Sequence, residues 1–123
     1  MVSYVLFVLI VAVLTLGLDY LWLSLTKSFY TSGLSRVAPG IRSPRWAGAV
    51  IAYAALVLGH ITFVPMGAPI TGAIYGAVVY GVYNGTIYAT FSNYGSQLVV
   101  VDTAWGAVLN AVVSLLAGIL VSL

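Results

Sequence analysis

Apolar residues run through this chain in four long blocks, with polar residues gathered at the connections between them. The first block, Val2 to Leu25, carries one charge, Asp19. A polar connection over 27–45 follows, containing Thr31, Ser32, Gly33, Pro39 and Gly40. Ser43-Pro44 then supplies an N-cap residue with proline at the first helical position, predicting a second helix over 44–64 that Pro65 stops. Pro65 to Pro69 reads as a turn, a third block covers 70–90, and Ser92-Asn93-Tyr94-Gly95-Ser96 reads as a tight connection before the fourth block, 97–123. Each block has about the 20 residues that a helix needs to cross a hydrocarbon core. The blocks run on continuously, where a membrane β-strand would alternate over about ten residues. The expected fold is all-α, a four-transmembrane-helix bundle forming a single membrane domain over 1–123.

Composition narrows the solvent. With 63% of residues apolar and 5% charged, the chain has too few charges to coat a globule in water. Its mean hydropathy of +1.15 makes lipid the medium for most of its surface. The partner expected from this is the lipid bilayer. The net charge of +2 does not point to nucleic acid, which needs a clustered basic face making several phosphate contacts. The first block lacks a basic leader and a small-residue cleavage site, so it reads as a permanent span. With no cysteine in the chain, disulfides, thiolate metal sites and cysteine nucleophiles are all excluded.

The charge pattern predicts an orientation. Lys27, Arg36, Arg42 and Arg45 all fall in the first connection, and basic residues concentrate on the cytoplasmic side. The first and third connections are therefore expected inside a bacterial-type inner (plasma) membrane, with both termini outside. Trp22, Phe29, Tyr30, Trp46, Tyr88, Phe91 and Tyr94 would ring the inner interface, with Tyr4, Phe63 and Tyr75 nearer the outer one.

Polar residues inside the spans carry the candidate chemistry, because an ionisable group in a membrane helix costs a few kcal/mol or more and turns to protein or water. Asp19 and Asp102 are the only acids. Counting from the inner ends of their spans places them at similar depth, and Asn84 of the third span falls near the same level between Tyr80 and Tyr88. Asp102, Gly106, Asn110, Ser114 and Gly118 recur every four residues, as do Gly72, Gly76, Tyr80, Asn84 and Tyr88. Small residues so spaced read first as helix-packing seams, joined by Gly81 and Gly85, and only second as a conduction path. The acids have two readings. They form structural ion pairs with Lys27, Arg42 or Arg45, or they are a proton or cation site. His60 reads as an interfacial or packed histidine, and one histidine with two distant acids makes a poor metal site.

Other patterns fail. Asn84-Gly85-Thr86 matches a glycosylation sequon but lies within a span. No serine has a histidine partner at shared depth, and no phosphate loop or dinucleotide fingerprint occurs. No catalytic residue, metal site or cofactor is expected.

Leu18-Asp19-Tyr20-Leu21-Trp22-Leu23, Lys27-Ser28-Phe29-Tyr30, Val82-Tyr83-Asn84-Gly85-Thr86 and Val101-Asp102-Thr103-Ala104-Trp105-Gly106 together resemble the bacterial membrane-protein family labelled domain of unknown function 2177. The paired Asp-x-x-Trp elements in the first and last spans carry most of the resemblance, which extends over nearly the whole chain. It implies a four-helix membrane protein without an established activity. It also implies two departures, Asn84 where the family usually has aspartate and Ile87 where it has asparagine. The candidate ligand-binding or ion-binding residues are Asp19, Trp22, Tyr80, Tyr83, Asn84, Asp102, Trp105 and Asn110. The expected role is a proton- or cation-coupled small-solute carrier acting as a homo-oligomer. The alternative is an accessory subunit of a larger membrane complex.

Overall fold

The computed structural model describes residues 2–37 and 45–123. These form five helices: α1 (Val2–Leu25), α2 (Lys27–Val37), α3 (Trp46–Phe63), α4 (Pro69–Thr90) and α5 (Ser96–Ser122). Four of them coincide with the apolar blocks. The anticipated start of the second span at Ser43-Pro44, and Arg42 with it, lie outside the described residues.

The first connection is not all loop, because α2 occupies its first part. Its polarity suggested a connection, but Lys27–Val37 contains no proline and a single glycine, so the helical path can continue. It passes through Thr26, whose N–H donates to the Trp22 carbonyl (2.9 Å) and whose carbonyl accepts from the Tyr30 N–H (3.2 Å). The Thr26 hydroxyl also donates to the Trp22 carbonyl, a back-bond that loosens the helix where α1 gives way to α2.

Three helices are long and apolar enough to cross a membrane: Ser3–Leu25, Trp46–Phe63 and Ser96–Ser122. The expectation of four spans is met in length by α4, at 22 residues, but not in hydropathy. The reason lies in what α4 packs against. Glycines, tyrosines, threonines and Asn84 replace aliphatic residues along it, and its glycine face is pressed onto α5. A Cβ at Gly76 would run into the Gly106 carbonyl, one at Gly72 into the Asn110 carbonyl, and one at Gly106 into the Tyr80 ring. Those three glycines form a true seam. Gly85, expected to join it, faces open space, and at Gly81 the nearest atom would be the Thr103 methyl at 3.9 Å.

Residue numbers that rise along one helix fall along the next. Phe7 and Val11 of α1 meet Leu109, Val113 and Ala117 of α5 in the apolar core, with Val57 and Ile61 of α3 against them. Farther along α1, Asp19 and Trp22 meet Trp105. Thus α1 is antiparallel to α5, and the Gly72 to Asn110 and Gly76 to Gly106 approaches make α4 antiparallel to α5 as well. The α3–α4 loop is pinned to α5. Gly67, whose φ of 72° suits glycine, donates its N–H to the Ser114 carbonyl (2.9 Å). The Ser114 hydroxyl accepts from the Ala68 N–H (2.9 Å) and donates to the Pro65 carbonyl (2.7 Å). Large apolar side chains such as Val13 (68% exposed), Ile51 (69%) and Ile70 (78%) face outward, where only lipid suits them.

Candidate functional site

The polar cluster forms because α1 and α5 cross antiparallel with the same Asp-x-x-Trp element on each. Asp19 and Trp22 lie three residues apart, as do Asp102 and Trp105, so on each helix acid and indole share a face. The two indoles stack, with centroids 4.5 Å apart and planes inclined by 6°. Each then serves the acid of the opposite helix. Trp105 Nε1 donates to Asp19 Oδ1 (2.9 Å), while Trp22 Nε1 donates to the Tyr30 hydroxyl (3.0 Å), which donates to Asp102 Oδ1 (2.8 Å). A second tyrosine completes the likeness, since Tyr53 of α3 donates to Asp19 Oδ2.

From α4, Asn84 Nδ2 donates to Asp102 Oδ2 (2.6 Å) and to the Tyr80 carbonyl (2.9 Å), and its Oδ1 accepts from the Tyr94 hydroxyl (2.6 Å). The amide orientation follows, because two acceptors meet one end and a donor meets the other. One connected network therefore runs from Tyr94 through Asn84, Asp102, Tyr30 and Trp22, across the indole stack, to Trp105, Asp19 and Tyr53. Asp19 is 6% exposed and Asn84 is fully buried.

The electrostatics are one-sided. Every donor on the two carboxylates is neutral, and among the described residues no lysine or arginine nitrogen bonds to either. The ion-pair reading is thus not realised by Lys27 or Arg45. Burial and the neighbouring Asp102 charge push the Tyr94 hydroxyl up to about 12, and burial, with the Asp102 bond and charge, raises Tyr30 further. Both phenols therefore stay protonated donors through the physiological range. Two clefts open at the ends of the molecule, one between α2 and α5 beside Ser28, Ser32, Arg36 and Gln97, the other beside Gly67 and Gly118. Neither is lined by Asp19 or Asp102.

Of the candidates named from sequence, Asp19, Trp22, Asn84, Asp102 and Trp105 come together. Tyr80 lies on Gly106 beside the cluster, Tyr83 is 58% exposed, and Asn110 belongs to a separate pair with His60. Tyr30, Tyr53 and Tyr94 escaped the sequence reading. The pattern along the chain places Tyr30 and Tyr94 with Trp22 in an interfacial belt, yet all three turn inward, and so does Tyr75, whose hydroxyl donates to the Leu56 carbonyl (2.7 Å). Their sequence positions fit both roles, and only the partner each side chain reaches separates the two.

Trp105→Phe should isolate the indole bond from the stack. A ring remains against Trp22, but Asp19 loses a donor, at a cost of about 1.5–3 kcal/mol for a bond to a charged group. The near-ultraviolet circular dichroism couplet of the stacked indoles should vanish and thermal stability fall. Retention of the couplet would show that Trp22 and Trp105 do not stack.

No curated protein and no solved structure matches this chain. A family model described as a predicted membrane protein does match, over residues 4–119, which takes in both Asp-x-x-Trp elements and every residue of the network. The chain belongs to this family of membrane proteins, DUF2177.

Proposed function

We propose that the chain is a four-span, single-domain membrane protein that couples movement of a small solute or cation to proton binding at Asp19 and Asp102. The observation that carries this is that every donor the described residues offer the two carboxylates is neutral. A charged aspartate at the centre of a membrane helix costs about 3 kcal/mol on insertion scales, and neutral donors recover only part of it. A bound proton or monovalent cation supplies the missing positive charge. Coupling between the acids through the indole stack lets occupancy of one bear on the other. Asp19, Trp22, Asn84, Asp102 and Trp105 hold the site, with Tyr80 beside it. Tyr83 and Asn110 make no contact with either acid among the described residues.

In this assignment α4 also spans the membrane, as the third of four spans, its polar side chains sheltered against α5. The basic connection and the α4–α5 turn face the cytoplasm of a bacterial-type inner membrane. A cysteine at exposed Ser35 should then react with impermeant reagents only after the membrane is opened, while a cysteine at exposed Met66 should react in intact cells. The reverse pattern would overturn the orientation. A bundle this thin would work as a homo-oligomer.

The packing of the indoles and tyrosines over both acids favours a second reading, an accessory subunit in which the network fixes helix positions. Flux separates the two. Purified protein in proteoliposomes should dissipate an imposed pH gradient faster than protein-free vesicles; equal rates across candidate solutes and monovalent cations would leave the accessory role.

A further inference from the structure

Polar groups continue beyond the acids toward the α3–α4 loop. The α5 face that bears Asp102 carries Asn110 two turns on, fully buried, with Nδ2 donating to the Gly106 carbonyl (2.9 Å) and Oδ1 lying 2.8 Å from His60 Nδ1. The bond to Gly106 orients the amide, so the oxygen faces His60 and can only accept. Nδ1 must therefore carry the proton, which leaves Nε2 of neutral His60 as a bare acceptor. His60 is 0% exposed, and its Nε2 meets no partner among the described residues. The edge of the Tyr75 ring closes one side (centroids 5.8 Å, 88°), and the Tyr75 hydroxyl is engaged elsewhere.

A second orphan lies on α1. Thr15 is 1% exposed and its Oγ1 is unpartnered. Hydroxyls in membrane helices usually bond back to the carbonyl four residues earlier, as Ser24, Thr26, Thr62 and Thr90 do here. Thr15 makes no such bond. It lies one turn from Asp19 and one from Val11, on the buried stripe of α1, and Val57 and Ile61 bracket His60 on α3 and pack on the core that includes Val11 and Leu109. An acceptor on α3 and a hydroxyl on α1, both sealed from solvent, thus belong to helices that pack on the same core with α5. Buried polar atoms left over in this way mark sites of internal water.

We propose that this interior binds water through His60 Nε2 and Thr15 Oγ1, and that the water links His60 to Asp19 as a second proton-accepting group of the site. The linkage to Asp19 rests on the function proposed above, whereas the hydration site does not. In the transfer, the Asp19 carboxyl gives its proton to the water as the water gives one of its own to Nε2. The result is a carboxylate and an imidazolium, with Nδ1–H kept on Asn110 throughout, and the reverse step uses the same atoms. The imidazolium supplies a positive charge that no described lysine or arginine brings to either carboxylate.

The chain has one histidine, so nitrogen-15 histidine labelling in bilayers gives the Nδ1 and Nε2 signals of a single imidazole. The expected spectrum at neutral pH is the Nδ1–H tautomer with Nε2 in contact with water protons, and Thr15→Val should weaken that contact. The Nε2–H tautomer, or Nε2 without water contact, overturns the hydration site. In proteoliposomes His60→Gln should slow proton-linked flux by about a hundredfold, the lower end for a positioned proton-transfer group. Unchanged flux in His60→Gln, with flux lost in Asp102→Asn, overturns the link alone. Absence of flux in the parent protein overturns the proposed function and the link, and leaves the hydration site to the spectrum.

Discussion

Gly76→Val is expected to be the most damaging single substitution in the chain. The first atom added at Gly76 meets the Gly106 carbonyl, and the next neighbour is the Asn110 side-chain nitrogen, so both relief routes disturb α5. A flexible side chain could step aside, but a backbone carbonyl moves only with its helix. Overpacking in a tight core costs about 1–3 kcal/mol when neighbours can shift, and this site should exceed that range. Separating α4 from α5 also pulls Asn84 off Asp102, so the network should fail with the packing. Gly85→Val is the control, since a Cβ there meets nothing within 4 Å, and it should stay within about 0.5 kcal/mol of the parent. Thermal unfolding in detergent compares the two, and equal stability would mean that the α4–α5 seam is not closed as described.

The second large effect concerns function. Asp102→Asn should abolish proton-linked flux while leaving stability within about 1 kcal/mol, because one lost hydrogen bond is set against removal of a half-buried charge. Were a basic partner holding this acid, the same change would cost about 3–5 kcal/mol. The double variant Asp102→Asn with Asn84→Asp is the sharper test. Asn84 Nδ2 lies 2.6 Å from Asp102 Oδ2, so the exchange moves the carboxylate by one hydrogen bond, and Tyr94 is already placed to donate to it. Partial return of flux in the double variant is the expected result. Full flux in Asp102→Asn alone would remove the acids from the coupling mechanism.

Much of the molecule was legible in one dimension. The long apolar blocks between proline, glycine and asparagine turns determined four of the five helices, because helix length and hydrophobicity are local properties that a bilayer reads directly. The scarcity of charge determined that lipid, and not water, surrounds the protein. Asp19, Asn84 and Asp102 stood out by cost alone, since an acid or an amide in such a block needs a reason. Local composition misled at α2, where polarity looked like a loop although nothing in Lys27–Val37 breaks a helix.

Tertiary structure decided how those residues combine. A tyrosine at a helix end serves an interfacial belt or an inward-facing acid equally well in sequence, and only the approach of α2 to α5 brings the Tyr30 hydroxyl 2.8 Å from Asp102. The crossed use of the two Asp-x-x-Trp elements depends on the antiparallel register of α1 and α5, which neither element contains. The division of the α5 stripe into an acid site and a His60–Asn110 pair likewise follows from which helix faces each turn. Spacing along one helix determines which side chains share a face, but the partners of that face come from other helices, and their register is set by packing over the whole bundle.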